Sequence, residues 1–315
     1  MLQQTQVSVV IPYFERWMRL FPSVEALAKA PIATVLKEWE GLGYYARARN
    51  LHEGARYVMD QCQGTIPSSA EELKKIKGLG DYTVGAILSF AFHQRAAAVD
   101  GNVMRVLARY YALPDDISKG TTQKKLRGMA KDLLPEEEPW IIAEALIELG
   151  ATICTRNPKC SECPLVRSCA GFAQGLANQL PVKSAKTVTQ YLYRLVPVIA
   201  CGDQFLVCRG VKGKVMADLL EFPYFDIDRP MENFTEEKRI LREQLHTKLS
   251  LKATWHKTLP QVKHSFTRYR ATLIPHLYTV ENTTQIDGYE WLSINELNKY
   301  PFSAGHRRIF SELNS

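Results

Sequence analysis

The chain has 315 residues, 46% hydrophobic and 23% charged, with a formal net charge of +7. That length suits one large or two ordinary domains, and the composition excludes global disorder while supplying apolar side chains for a sizeable core. No run of 18 or more apolar residues occurs and the start, MLQQTQVSVV, lacks the basic flank of a signal peptide, so no membrane association is expected and the location expected is intracellular.

The first half reads as helix after helix. Apolar residues recur at helical spacing through 7–21, 31–62, 69–76, 81–94 and 139–154. Pro12 falls inside the first pattern, where a kink or break is expected. Pro31, Ser68 and Pro139 are predicted helix starts, and Gly41, Gly64 and Gly120 predicted ends or turns. The stretch 176–190 is polar, contains a proline and has no sustained period, which predicts a linker. Beyond it, 191–201, 203–210 and 253–280 alternate like strands, with one helical segment at 236–249. Helices first and a mixed part second argue for two domains.

Seven cysteines are present, four of them between Cys154 and Cys169. A disulfide framework is unusual in a long intracellular chain, so Cys154, Cys160, Cys163 and Cys169 point to metal. Four soft thiolates suit zinc or an iron–sulfur cluster. Zinc ribbons favour two Cys-x2-Cys pairs, and the single pair here tilts the reading towards a [4Fe–4S] cluster. Cys62, Cys201 and Cys208 read as ordinary small apolar residues.

In LKKIKGLGDYTVGAI, a helix ending at Gly78, an apolar Leu79 and a helix opened by Gly80 make a helix–hairpin–helix pattern. Glycine permits left-handed backbone and leaves room for a phosphate, which backbone N–H groups at the next helix start can bind. Equally, the pair serves as an ordinary tight turn. Asp100, in AVDGNVMRVLARYY, stands before a strongly apolar helix, where capping is the commoner role. Its position some twenty residues after the hairpin lets it face a bound strand.

LQQTQV, WEGLGYYARARNLH, GLGDYTVGAILS, DGNVMRVLAR and the cysteine loop together resemble the endonuclease III superfamily of base-excision glycosylases. The match is strongest to its adenine DNA glycosylase branch, of MutY type, and spans almost the whole chain. The resemblance implies an α then α+β fold class. An all-helical helix–hairpin–helix glycosylase domain with an iron–sulfur loop occupies 1–175, a linker 176–190 and a Nudix-like lesion-recognition domain 191–315. It implies a [4Fe–4S] cofactor on the four cysteines, with the basic loop residues Arg156 and Lys159 set against phosphate. The implied partner is double-stranded DNA carrying adenine opposite 8-oxoguanine or guanine. A monomer is expected, cytoplasmic and nucleoid-associated in a bacterium.

By the same resemblance Asp100 is the carboxylate that stabilises an oxocarbenium-like sugar, and Asn102 and Glu144 line the pocket for the extruded adenine. Gln4 and Tyr44 probe the duplex beside the lesion, with Tyr45 the core member of its pair; Gly78 and Gly80 meet phosphate. Bifunctional members carry a lysine nucleophile two residues after the second hairpin glycine; here Tyr82 stands there, so hydrolysis without strand cleavage is expected. A bifunctional pyrimidine-lesion glycosylase is the lesser alternative.

Three departures accompany the resemblance. The catalytic glutamate of the family falls two residues before Met1, which implies either a start upstream or a non-catalytic DNA-binding remnant; a match at full strength from Met1 onwards favours the former. Five residues separate Cys154 from Cys160, where the family usually has six. The family's Phe-Ser-His loop reads Phe266-Thr267-Arg268: Thr267 keeps a hydroxyl for the lesion, and Arg268 replaces an imidazole by a permanent cation. REQL at 242–245 lacks the acidic pair of a Nudix box, so hydrolysis of nucleotide diphosphates is not expected.

Overall fold

The computed structural model describes residues 1–2, 5–184, 188–211, 213, 215–231 and 234–313. Helices come first: α1 (Val7–Leu20), α2 (Val24–Lys29), α3 (Ile32–Glu38), α4 (Ala46–Gln61), α5 (Ala70–Lys75) and α6 (Asp81–Ala86), the last continuing into a π-helical turn at Ile87–Ala91. Then follow α7 (Gly101–Tyr110), α8 (Gly120–Asp132), α9 (Pro139–Thr152) and α10 (Ala170–Ala173), with 3-10 turns at Cys160–Glu162 and Val166–Ser168. The mixed part runs β1 (Gln190–Cys201), β2 (Gln204–Arg209), β3 (Leu220–Glu221), β4 (Phe225–Ile227), α11 (Phe234–Leu249), β5 (Thr254–Thr258), β6 (Val262–Phe266), β7 (Tyr269–Thr279), β8 (Tyr289–Ser293), α12 (Ile294–Leu297) and α13 (Ala304–Leu313). This is the helical-then-mixed order implied by the sequence. No helix among the described residues is long and apolar enough to cross a membrane.

Several local expectations need correction. Pro12 does not end α1, which runs through it. The cap of α5 is Ser69 rather than Ser68: its hydroxyl accepts from the Glu72 N–H at 3.2 Å. Gly120 opens α8 instead of closing a helix. The helical run 31–62 is two helices rather than one, parted after Glu38 at the turn expected at Gly41, whose φ is +102°.

The chain divides into two compact units, one of Met1–Arg56 with Thr187–Ser315, the other Tyr57–Lys186. In the first, Trp17, Phe21 and Trp39 form an edge-to-face aromatic core between α1 and α3 that also takes in Leu219. Its eight-stranded sheet has the central order β3-β2-β1-β7-β5, with β4 on β1, β6 on β7 and β8 on β2. β1 and β7 are parallel, registered from Gln190↔Tyr269 to Ala200↔Thr279. The middle of β1 is apolar at every position because both faces are covered. Val196 and Val198 pack towards Phe302, Ile309 and Phe310, while Leu195 and Ile199 pack towards Leu241, Leu245 and Leu249 of α11.

In the second unit, Val103, Val106 and Leu107 of α7 pack with Leu126 and Ala130 of α8 and Leu146 of α9. Two glycines let backbone approach α7 closely. A Cβ at Gly150 would stand 2.7 Å from the Asn102 Cβ, and one at Gly171 would collide with the Arg109 carbonyl. Gly150→Ala is therefore expected to destabilise the unit by ~1–3 kcal/mol through overpacking. Gly128, exposed inside α8 with nothing near its missing Cβ, offers the contrast: Gly128→Ala is expected to stabilise by ~0.5–1 kcal/mol. Denaturant titration of the two variants checks both signs.

Candidate active site

Asp100 caps α7. Its Oδ1 accepts from the Asn102 and Val103 N–H groups, each at 2.8 Å, and its Oδ2 accepts from the Asn102 amide at 2.9 Å. The capping role and the candidate catalytic role thus fall on one side chain, and the cap is what aims it. Tyr82, on α6, is half-buried; burial first, and then the Asp100 carboxylate, push its phenol upward from the ordinary value. Tyr82 thus lies within electrostatic reach of Asp100, and no amine takes its place there.

The Asn102 side chain continues the network. Its Oδ1 accepts from Arg105 Nη2 at 2.8 Å; that guanidinium also donates to the Gly150 carbonyl at 2.7 Å and, through Nε, to the Cys154 carbonyl at 2.8 Å. One turn later Arg109, 3% exposed, donates to the carbonyls of Leu180 (2.9 Å), Thr155 (2.6 Å), Arg156 (3.1 Å) and Cys154 (3.4 Å), and to the Cys154 Sγ (3.3 Å). Sequence reasoning missed both arginines. The available signal was a pair of cations four residues apart, the second inside the buried run 106–109 of an amphipathic helix.

Cys154, Cys160, Cys163 and Cys169 all line one pocket, together with Arg109, Pro158 and Phe172. None is in a disulfide. Burial pushes the Cys160 thiol up, and the sulfurs of Cys154, Cys169 and Cys163 push it further. Among the described residues no three His, Cys, Asp or Glu side chains group tightly enough for a single metal ion. As a donor set, four soft thiols with no imidazole or carboxylate among the lining residues fit an iron–sulfur cluster.

In the hairpin, Gly78 takes the left-handed backbone (φ +90°), and the Leu79 N–H returns to the Ile76 carbonyl at 3.2 Å. Gly80 is extended, and its contribution is space: nothing lies within 4 Å of a Cβ built there. Glu144 is exposed on α9, whose buried positions include Ala143 and Leu146.

The remaining candidates belong to the other unit. Tyr44 is 52% exposed at φ +48°, with the Arg47 guanidinium 5.5 Å from its ring centre, whereas Tyr45 is buried, as expected for the core member. Phe266 ends β6 and stacks on His264 at 5.0 Å; Thr267, exposed at φ +47°, and Arg268 form the turn into β7. Gln4 lies outside the described residues.

Residues 1–131 match the profile of the HhH-GPD superfamily base excision DNA repair proteins, and residues 195–312 that of the NUDIX domain. The adenine DNA glycosylase of Rattus norvegicus is 30% identical over 359 aligned positions, covering 98% of this chain and 69% of the rat protein. The chain belongs to the adenine DNA glycosylase family. The human family member is 32% identical, with 98% of this chain and 66% of that protein covered; that of Buchnera aphidicola subsp. Schizaphis graminum is 29% identical, with 88% and 77% covered. The match thus spans about two thirds of the length of the rat and human relatives. In family terms the helical part is HhH-GPD-like and the sheet-containing part Nudix-like.

Arg109 gives this site its sharpest stability test. Arg109→Met strips the donor from the buried Leu180 carbonyl and from the less buried carbonyls of Cys154, Thr155 and Arg156, which water can still reach; at ~1–3 kcal/mol for a buried group left unsatisfied, a loss of about 1–3 kcal/mol is expected. Arg109→Lys is expected to recover only part of it, because an ammonium cannot span the same fork. Urea denaturation of the two variants is the measurement.

Proposed function

We propose that this chain hydrolyses the N-glycosidic bond of adenine mispaired with 8-oxoguanine or guanine in duplex DNA, without cleaving the strand. The observation that carries the reading is the Asp100 carboxylate, held by three N–H donors at the start of α7 with Tyr82 beside it. Adenine is inaccessible inside the stack, so it is first extruded. The C–N bond breaks with its electron pair leaving on the adenine, which takes up a proton; a fixed carboxylate stabilises the oxocarbenium-like sugar left behind, and water adds to the sugar carbon and gives up a proton, as in glycoside hydrolysis. Asn102 keeps the carboxylate in register, and Glu144 faces the extruded base. Gly78 and Gly80 let backbone N–H groups meet a phosphate, Gln4 and Tyr44 enter the duplex, and Phe266 and Thr267 meet the lesion base. The protein works as a monomer, with its glycosylase part at 1–175 and its lesion-reading part at 191–315.

Cys154, Cys160, Cys163 and Cys169 would hold a [4Fe–4S] cluster, which supplies a cross-link for a loop with little secondary structure of its own. Arg105 and Arg109 orient that loop, and Arg156 and Lys159 then present positive charge to phosphate. Iron near four atoms per chain in anaerobically purified protein, with visible absorption that disappears in Cys160→Ser, is the expected result. Stoichiometric zinc without iron overturns the assignment.

For the reaction itself, Asp100→Asn is expected to lower single-turnover adenine release by at least ~10²-fold while duplex affinity changes by only a few-fold. The product strand is expected to stay intact until alkali is added. Efficient borohydride trapping of an enzyme–DNA adduct counts against a monofunctional reaction. Duplex binding with no adenine release from the parent chain favours a DNA-binding protein instead.

A further inference from the structure

Between α3 and α4, three of the four residues of Gly41–Tyr44 are left-handed: Gly41 at φ +102°, Gly43 at +68° and Tyr44 at +48°. Two of these positions suit glycine. At Tyr44 an L side chain occupies backbone space it rarely visits, and such a conformation persists only where the surroundings over-determine it.

Arg47 Nη2 donates to the Leu42 and Gly43 carbonyls at 3.2 and 3.3 Å and the Tyr13 hydroxyl to the Glu40 carbonyl at 2.9 Å, and beyond these local bonds the loop is tied to a single residue far along the chain. The Phe302 N–H donates to Glu40 Oε1 at 2.9 Å, and the Phe302 carbonyl accepts from the Tyr45 hydroxyl at 3.3 Å. Glu40 immediately precedes the loop and Tyr45 immediately follows Tyr44, so the two backbone polar groups of one residue tie both ends. The Glu40 carboxylate also takes Arg307 Nε at 2.7 Å, Arg307 Nη2 at 3.2 Å and Lys37 Nζ at 2.7 Å. Both cations in turn reach the Tyr300 carbonyl, at 2.8 Å and 3.3 Å. Inside the loop, the Trp39 indole N–H donates to the Gly43 carbonyl at 3.0 Å. The anchor is rigid. Phe302 is fully buried and stacked on Phe310, and its neighbours bond to β3 through Leu220 N–H to Pro301 O (2.8 Å) and Ser303 N–H to Leu220 O (3.2 Å).

We infer that the Phe302 backbone N–H and carbonyl, with Glu40, form a clamp that positions Tyr44, so that the sheet-containing part of the unit sets how firmly Tyr44 engages a duplex. Glu40, Tyr45 and Arg307 are then positioning residues for DNA engagement, acting through the loop. This rests on the proposed entry of Tyr44 into the duplex.

The test is fluorescence anisotropy of the full chain on a duplex with one adenine–8-oxoguanine pair. Tyr45→Phe removes only the phenolic O–H; Glu40→Gln keeps an acceptor for the Phe302 N–H and drops the charge; Glu40→Ala removes both. The expected dissociation constants rise about threefold for the first two and roughly tenfold for Glu40→Ala. Repeated on a Tyr44→Ala background, all three effects are expected to vanish, because the clamp acts only through that ring. Undiminished effects on that background overturn the inference while leaving Tyr44 itself in place. If Tyr44→Ala alone binds as tightly as the parent chain, the entry of Tyr44 is what fails. A second measurement covers the case where Glu40→Ala is simply less stable. With 2-aminopurine beside the mismatch and protein at saturation, the clamp variants are expected to give less unstacking fluorescence than the parent, and an unchanged signal overturns the inference.

Discussion

Arg109 places a permanent charge in the interior of a helical unit, and that charge is affordable only because a loop of bare carbonyls surrounds it. Burying an ion costs several kcal/mol unless hydrogen bonds replace its water. Here the loop 154–156 and Leu180 supply oxygen acceptors and Cys154 a sulfur. The dependence is mutual. Between α9 and α10 the chain has only two short 3-10 turns, so its carbonyls need a donor from elsewhere. A guanidinium, planar and able to serve several oxygens at once, meets that need where an ammonium would not.

The same helix carries this constraint to the candidate catalytic end. From Cys154 the path runs through Arg105 to Asn102 and then to Asp100, each link a hydrogen bond of 2.8–2.9 Å. Gly150 and Gly171 belong to this arrangement because any Cβ there would push on Asn102 or on the Arg109 backbone. Cysteine loop, carboxylate and two close helix contacts are therefore one mechanical assembly.

The sheet-containing unit is organised by burial instead. The stretch 195–200 of β1 is buried, so its side chains make the core, and exposed polar groups lie at the start of the strand and at turns such as Thr267–Arg268. Its buried C-terminal segment still contributes outward through backbone atoms. Phe302 offers no polar side chain, yet its N–H and carbonyl hold Glu40 and Tyr45. That connection joins residues at opposite ends of the sequence within one compact unit.

The sequence alone determined the element types, because hydrophobic period and turn chemistry are local properties. It also determined the family resemblance, the four thiols as a set, the cap at Asp100 and the absence of a lysine at position 82. Only the tertiary structure decided the roles of Arg105, Arg109, Glu40 and Arg307. A charged residue on an amphipathic helix looks the same in sequence whether it is solvated or buried against carbonyls dozens of residues away. Likewise, Pro12 predicts a kink or a break when read locally, and α1 runs through it without a break, with Val10 and Trp17 buried on either side. Grouping α1–α3 with the sheet was beyond any local reading, since it depends on which apolar faces meet, and periodicity specifies a face but not its partner.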